Sequence, residues 1–518
     1  MNSDYPKRSV AAGTIHREVD PFALYRHLTG GAPDTALLES RDGNGKNNTQ
    51  SLLLVRSALR IEGYGRRVKV TPLTDAGRSV LESQHDRLVK VGTANSEGDS
   101  LVIEFPPLDG NASEEERLLA NGPLDILRTF AFGWNGQEKT PILLTGMLGY
   151  DFLETFEKLP PPKRDGLNTP DLLFELPEVL VRVDHLHREV QVQVHSYGNR
   201  KPDDKALAEV VNAVQAFPEM DTASVFTQVP EKMPSGFHVD LDDSAYRAIV
   251  ELMKRHIVAG DVFQIVPSRT FSLPCRDAMQ AYHALRDLNP SPYLFYLADR
   301  DFTLFGSSPE TCVRVAGNPR KVTLFPIAGT RPRGRNGDGS LDVDLDNRLE
   351  AELKLHGKEL AEHMMLVDLA RNDVARISNP GTRRVSRLLE IERYSHVMHL
   401  VSRVEGTLRD GYDALHAYLA TMTMGTLTGA PKVEAARLLR KHEADRRGPY
   451  GGAVGYLTSE GILDTAIVIR SAVVLSGIAH VRAGAGIVFD SQPQAEADET
   501  RSKANAVLQA IALSEGGR

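Results

Sequence analysis

The sequence predicts an α+β fold, with packed β-sheets and helices outside them. Three observations carry this expectation. Residues 190–195 (VQVQVH) alternate apolar and polar side chains with the period of two that marks a strand. Residues 243–253 instead place Ile249, Leu252 and Met253 three or four apart, the spacing of an amphipathic helix. Strand-like runs crowd the first 225 or so residues and long helical patterns come later, so the two element types do not alternate as βαβ units would.

Taken in order, 51–55 (SLLLV) reads as a strand, followed by a second segment containing Leu59 and Ile61. Breaks at 41–45 (RDGNG), Pro106-Pro107 and 160–162 (PPP) punctuate this part. The character changes after Ser235, which divides a β-rich N-terminal region, 1–235, from a second region, 236–518. Asp243-Ser244 opens a helix, Gly260 stops it, and 262–266 (VFQIV) reads as a strand. A helix over 343–374 would bury Leu345, Leu349 and Leu353. Another, beginning near Pro493, would bury Ala497, Ala504, Val507 and Leu508. Between them lie the strand-like 467–469 and 481–488. No repeat at solenoid spacing is present.

Composition narrows the class. A hydrophobic share of 41% and a charged share of 25% are those of a soluble globular protein. The net charge of -8 gives no general attraction for nucleic acid. Two cysteines, Cys275 and Cys312, are too few for a disulfide framework and point to a reducing compartment. The N-terminus lacks the apolar core of a secretory leader, and no apolar run is long enough to span a membrane. A cytoplasmic enzyme is the simplest reading, with a large binding protein as the alternative.

Several separated segments bear chemistry. Glu359 and Glu362 share a helix face, and Glu496 and Glu499 repeat the spacing, with Lys503 one turn beyond. Two carboxylate faces meeting around Mg²⁺ would supply hard oxygen ligands; each pair taken alone reads equally as solvated helix surface. Gly329 and Thr330 offer close backbone approach and a hydroxyl. Gly484-Ala485-Gly486 offers backbone N–H groups to an anion, or simply a turn. The segment 425–432 resembles a phosphate loop only superficially, because Pro431 precedes the lysine. Arg470 ends an apolar run and suits a carboxylate or a surface ion pair. His399 suits proton transfer or a structural hydrogen bond, and its spacing from His396 is also that of metal ligands.

The motifs FQIVPSR (263–269), PIAGTRPRG (326–334), ELAEHMMLVDLARND (359–373), TLTGAPK (426–432), GPYGGAVGY (448–456) and GAGIVFDS (484–491) resemble the chorismate-utilising enzyme family, in particular its anthranilate-forming synthase components. LLES (37–40) and SPYLF (291–295) extend the likeness toward the N-terminus. The resemblance implies orthogonal β-sheets flanked by helices, with 1–235 regulatory and intertwined with a catalytic 236–518. It implies Glu362 and Glu499 as Mg²⁺ ligands, with Glu359 and Glu496 close by. Chorismate would be held by Gly329, Thr330, Tyr450, Arg470, Gly484, Ala485 and Gly486. Glu359 would act as the acid for the departing hydroxyl, and His399 would assist elimination.

Two positions separate this chain from relatives of the same family. Where water-adding members carry a lysine base, Gln264 stands here, and glutamine is no comparable base. Where another branch carries a lysine nucleophile, Ala328 stands here and forms no adduct. The implied reaction is amination of chorismate with loss of pyruvate, giving anthranilate; an enzyme stopping at the aminated intermediate is the nearest alternative. Neither cysteine lies in a glutaminase-like turn, so a separate glutamine amidotransferase subunit would supply ammonia, commonly in a heterotetramer with two copies of each chain. Ser40, Pro292, Tyr293 and Leu294 resemble the family's tryptophan-feedback site.

Overall fold

The computed structural model describes residues 6–40, 49–134, 140–198, 200–218, 233–337, 339–394 and 397–516. The expected break at 41–45 and His396 lie outside the described residues. Every strand pairing named below is antiparallel. One run of sheet starts with Arg8–His16 and passes through Glu189–Tyr197, Leu172–Asp184, Gln50–Tyr64, Thr35–Glu39, Tyr293–Ala298 and Thr303–Ser308. It continues through Ser471–Leu475 and Ile478–Gly484 to Ser268–Pro274. A second run branches from Leu172–Asp184 into Leu143–Leu148, Ala453–Thr458, Leu463–Ile467, Thr311–Ala316, Lys321–Leu324 and Val397–Thr407.

The chain therefore crosses between the runs twice in adjoining places: after Ser308 into Thr311, and after Ile467 into Ser471. N-terminal strands pair directly with C-terminal ones, Leu38 with Phe295 and Met147 with Val454. Helices flank these sheets. Ala278–Leu288 packs along Pro493–Gly516, which also lies against Asp243–Ala259 and the strand Ile478–Gly484. The result is a mixed fold of large antiparallel sheets flanked by helices, as the sequence predicts.

Local departures have physical causes. The expected helix 343–374 is two helices, Val343–Leu355 and Gly357–Ile377, parted at His356. His356 leaves helical geometry and its Nδ1 accepts the Glu359 N–H at 3.4 Å, capping the second helix. The expected strand 262–266 shortens to Gln264–Ile265, which pairs with Gly429–Ala430. Strand Leu463–Ile467 ends where 467–469 was expected to run, and Ile478–Gly484 stops before 485–488.

The N-terminal part also carries a 17-residue helix, Asp75–Val91, that apolar periodicity does not reveal. Its buried face includes Gly77 and Gln84, which a hydrophobicity pattern passes over. By contrast Ala497, Ala504, Val507 and Leu508 are all buried, as expected. No helix among the described residues is long and apolar enough to cross a membrane.

Candidate active site

The strand Ile327–Pro332 carries the first group of residues. Its pairing with Val397–Thr407 slips between Ala328 and Thr330, leaving Gly329 at φ +68°. That left-handed backbone suits glycine, and the space does too. A Cβ there would lie 2.7 Å from a Leu353 methyl and 2.9 Å from a Glu359 oxygen. Thr330 sits opposite His399, and their Oγ1 and Nδ1 atoms are 3.0 Å apart. The Gly329 carbonyl lies 3.4 Å from the same ring nitrogen. Burial, reinforced by the charge of Arg470, holds the His399 pKa below its usual value, so the ring is neutral near pH 7. Glu359 accepts from the Arg331 guanidinium at 3.2 Å.

One helical turn on, Glu362 faces a different partner. Its Oε1 accepts a 3.0 Å hydrogen bond from Gln264 Nε2. Gly486 lies against both groups, since a Cβ there would be 2.7 Å from Gln264 Nε2 and 3.8 Å from Glu362 Oε1. Ala328 is buried in the strand Ile327–Pro332.

The C-terminal helix supplies the third group through Lys503. Its ammonium pairs with Glu499 at 2.6 Å and donates to the Gly484 carbonyl at 3.0 Å. Its own carbonyl accepts from Arg470 Nη1 at 2.7 Å. Arg470 has φ +50°, an uncommon backbone for a non-glycine residue, at the second crossing between sheet runs. Tyr450 is buried, and its hydroxyl lies 3.2 Å from where a Gly484 Cβ would be. Glu496 is buried on the same helix. The Ala485 methyl is wholly buried and its N–H is committed to Tyr246 Oη at 3.3 Å, so an open anion nest there is not what the structure presents.

Glu310 was not singled out from sequence. It is buried and accepts from Thr426 Oγ1 of the TLTGAPK segment at 3.1 Å. Burial pushes its pKa up to about 7, against the Thr426 hydrogen bond and the charge of Lys503, so about half of it is protonated near neutrality. The available signal was an acid inside Ser307-Ser308-Pro309-Glu310, between two apolar strands.

A hard divalent cation is tested by the donors present. Among the described residues no group of three or more His, Cys, Asp or Glu is gathered as a metal cage. Glu362 and Glu499 are carboxylates of the chemical kind Mg²⁺ takes. Each now meets a nitrogen donor, the Gln264 amide or the Lys503 ammonium. The donor set fits such an ion in kind.

Ser40 follows Thr35–Glu39, and Glu39 pairs with Leu294 across the sheet. That pairing brings Ser40, Pro292, Tyr293 and Leu294 to the wall of one cavity of about 410 Å³. The Ser40 hydroxyl is buried there without a hydrogen-bond partner among the described residues. Cys275 and Cys312 are both buried free thiols whose pKa burial pushes up to about 12.

Residues 109–509 match the family model described as chorismate binding enzyme, and the chain belongs to that family. Similar relatives in it include anthranilate synthase components. Anthranilate synthase component 1, pyocyanine specific, of Pseudomonas aeruginosa is 47% identical over 509 residues, covering 97% of this chain and 94% of its own. Anthranilate synthase component 1 of Escherichia coli is 46% identical over 496 residues and 95% of each chain. Among solved structures, anthranilate synthase component I from Streptococcus pneumoniae matches with a TM-score of 0.69 at 28% identity, over 90% of this chain and 93% of that one. The menaquinone-specific isochorismate synthase of Escherichia coli matches at TM-score 0.62 and 17% identity over 98% and 96%, a likeness of fold alone.

Proposed function

We propose that this chain is a Mg²⁺-dependent lyase converting chorismate and ammonia to anthranilate and pyruvate, the first committed step of tryptophan synthesis. The observation that carries this choice within the family is Gln264, whose amide is spent on Glu362. Without a lysine there, that position offers no base to activate water. Ala328 likewise offers no amine nucleophile. Anthranilate synthase component 1 relatives covering nearly the whole chain support the same choice.

In this reading Arg470, Thr330, Tyr450 and the glycines at 329, 484 and 486 hold and orient chorismate. Ammonia attacks the ring carbon beside the carboxylate-bearing carbon as the 4-hydroxyl departs. Glu310, partly protonated near pH 7, gives that hydroxyl its proton in its acid form, so that it leaves as water. This role was expected of Glu359, whose carboxylate instead faces Arg331. Neutral His399 then accepts the proton from the aminated carbon while the enolpyruvyl C–O bond breaks, and the ring becomes aromatic. Glu362 and Glu499 would hold Mg²⁺, with Glu359 and Glu496 beside it. When bound, the ion supplies charge neutralisation and orientation for the substrate carboxylate.

Ammonia would come from a separate glutamine amidotransferase subunit, in an assembly with two copies of each chain. The two buried, high-pKa thiols support this, because glutamine hydrolysis needs a reactive thiolate. Tryptophan would occupy the Ser40–Tyr293 cavity and inhibit. Product analysis tests the reading. With saturating ammonia and Mg²⁺ the chain alone makes anthranilate but uses no glutamine; added partner restores glutamine use. Accumulation of only 2-amino-2-deoxyisochorismate would replace the assignment with its nearest alternative. Chorismate binding without turnover would leave a binding protein.

A further inference from the structure

The two crossings between the sheet runs touch one another, and the segment Ser307–Thr311 forms one of them. On one side it meets the region that builds the Ser40 cavity. Asn289 Nδ2 donates to the Ser307 carbonyl at 3.4 Å and hydroxyl at 3.3 Å, and Tyr293 Oη lies 3.0 Å from Thr311 Oγ1. On the other side it meets the candidate active site. The Ser307 N–H donates to the Arg470 carbonyl at 3.0 Å, the Glu310 carbonyl accepts from the Ile467 N–H at 3.0 Å, and the Glu310 carboxyl accepts from Thr426 at 3.1 Å.

Glu310 lies at the bend that precedes the strand Thr311–Ala316, and its side chain and that of Thr311 meet different partners. Thr311 reaches toward Tyr293, while Glu310, one residue earlier, reaches toward Thr426. Tyr293 lines the cavity and its hydroxyl also donates to Asp464, another lining residue, at 3.1 Å. Thr311 is not a lining residue. It stands behind Tyr293, where a ligand that moves the ring moves the hydroxyl Thr311 holds. The titratable groups facing Glu310 are Lys503 and Cys312.

We propose that Thr311 is a positioning residue that links occupancy of the Ser40–Tyr293 cavity to the placement of Glu310 and Arg470. The proposal rests on the reading of that cavity as a tryptophan site on a chorismate-aminating enzyme. Its physical content is a coupling free energy between two sites, and such coupling is reciprocal. Tryptophan must weaken chorismate binding by the factor with which chorismate weakens tryptophan binding.

The test uses the full chain with Mg²⁺ and ammonia, in the parent, Thr311→Val and Thr311→Ser. Radiolabelled tryptophan is titrated with and without chorismate, and anthranilate formation is followed at each tryptophan concentration. Thr311→Val keeps the shape and removes the hydroxyl. It should leave tryptophan affinity without chorismate within about twofold, yet shrink the mutual effect by about fivefold or more, the lower end of ordinary allosteric coupling. Thr311→Ser should restore it. A merely structural role would change melting or basal turnover and leave the mutual effect in place. Parent-like coupling in Thr311→Val overturns the proposal. If that variant melts early, Thr311→Ala carries the same comparison, and coupling that Thr311→Ser does not restore also overturns it. A parent that aminates chorismate but binds no tryptophan removes the feedback reading, and the proposal with it.

Discussion

The Gln264 carboxamide donates a 3.0 Å hydrogen bond to the Glu362 carboxylate, and only a glycine at position 486 leaves room for the pair. A methyl at Gly486 would stand 2.7 Å from the Gln264 nitrogen, the mobile end of a side chain. Gly486→Ala should therefore displace the amide without breaking the fold. The expected loss is about 10- to 100-fold in kcat/KM for chorismate, the cost of a misplacement near 1 Å. Steady-state kinetics beside a melting curve check this, and an unchanged kcat/KM would place the pair outside the chemistry.

The two carboxylates expected to bind Mg²⁺ stand on different helices, so each can be neutralised separately. Glu362→Gln and Glu499→Gln should each raise the Mg²⁺ concentration for half-maximal activity by about tenfold or more. Calorimetric Mg²⁺ titration of the same variants gives a readout apart from turnover. Parental titrations in both would remove them as ligands.

Glu310 makes a prediction in pH. Its folded pKa of about 7 lies above the ordinary 4.5, so the folded state binds the proton more tightly. Its contribution to stability is thus fully present below pH 4.5 and lost as pH rises through 7. The loss is on the order of 3 kcal/mol. Glu310→Gln should flatten that part of the stability profile in denaturant titrations at several pH values. The same proton serves the proposed chemistry, so kcat should fall as pH rises through about 7 in the parent. A parent profile flat across that range would argue against Glu310 as the acid.

Ser40 presents a buried hydroxyl, unpartnered among the described residues, to the 410 Å³ cavity. Ser40→Ala should weaken tryptophan binding by about 1 kcal/mol, or roughly fivefold, the ordinary worth of one hydrogen bond. Mg²⁺-dependent turnover should survive. Equilibrium titration of tryptophan decides it, and parental affinity would show that this hydroxyl is not a ligand contact.

Much of this was legible in the residues, and the exceptions have a common cause. The C-terminal helix announces itself because Ala497, Ala504, Val507 and Leu508 mark one face at helical spacing. The helix Asp75–Val91 does not, since Gly77 and Gln84 occupy part of its buried face and carry no apolar signal. The motifs placed Gly329, Thr330 and His399 as candidates, yet the slip that sets Thr330 opposite His399 depends on a strand some 70 residues away. Glu310 escaped for a similar reason. Its shifted pKa comes from burial in the folded chain, and its Thr426 partner lies more than 100 residues away, neither of which local sequence reports. Lys503 was visible only as a helical neighbour of Glu499, although it also bonds Gly484 and Arg470.

The pairing of Leu148 with Ala453 joins residues more than 300 positions apart. A ribosome delivers the N-terminal strand long before its partner exists. Leu143–Leu148 waits for Ala453–Thr458 in the last quarter of the chain, and Thr35–Glu39 for Tyr293–Ala298 past its middle, each with an unpaired edge of hydrogen-bonding groups. Such edges invite wrong partners, and long-range pairing is slow to close. The N-terminal region thus cannot finish folding as a cassette during synthesis. Expression at lower temperature, or with a holdase that shields those edges, should raise the yield of native chain more than any stabilising change confined to the first half.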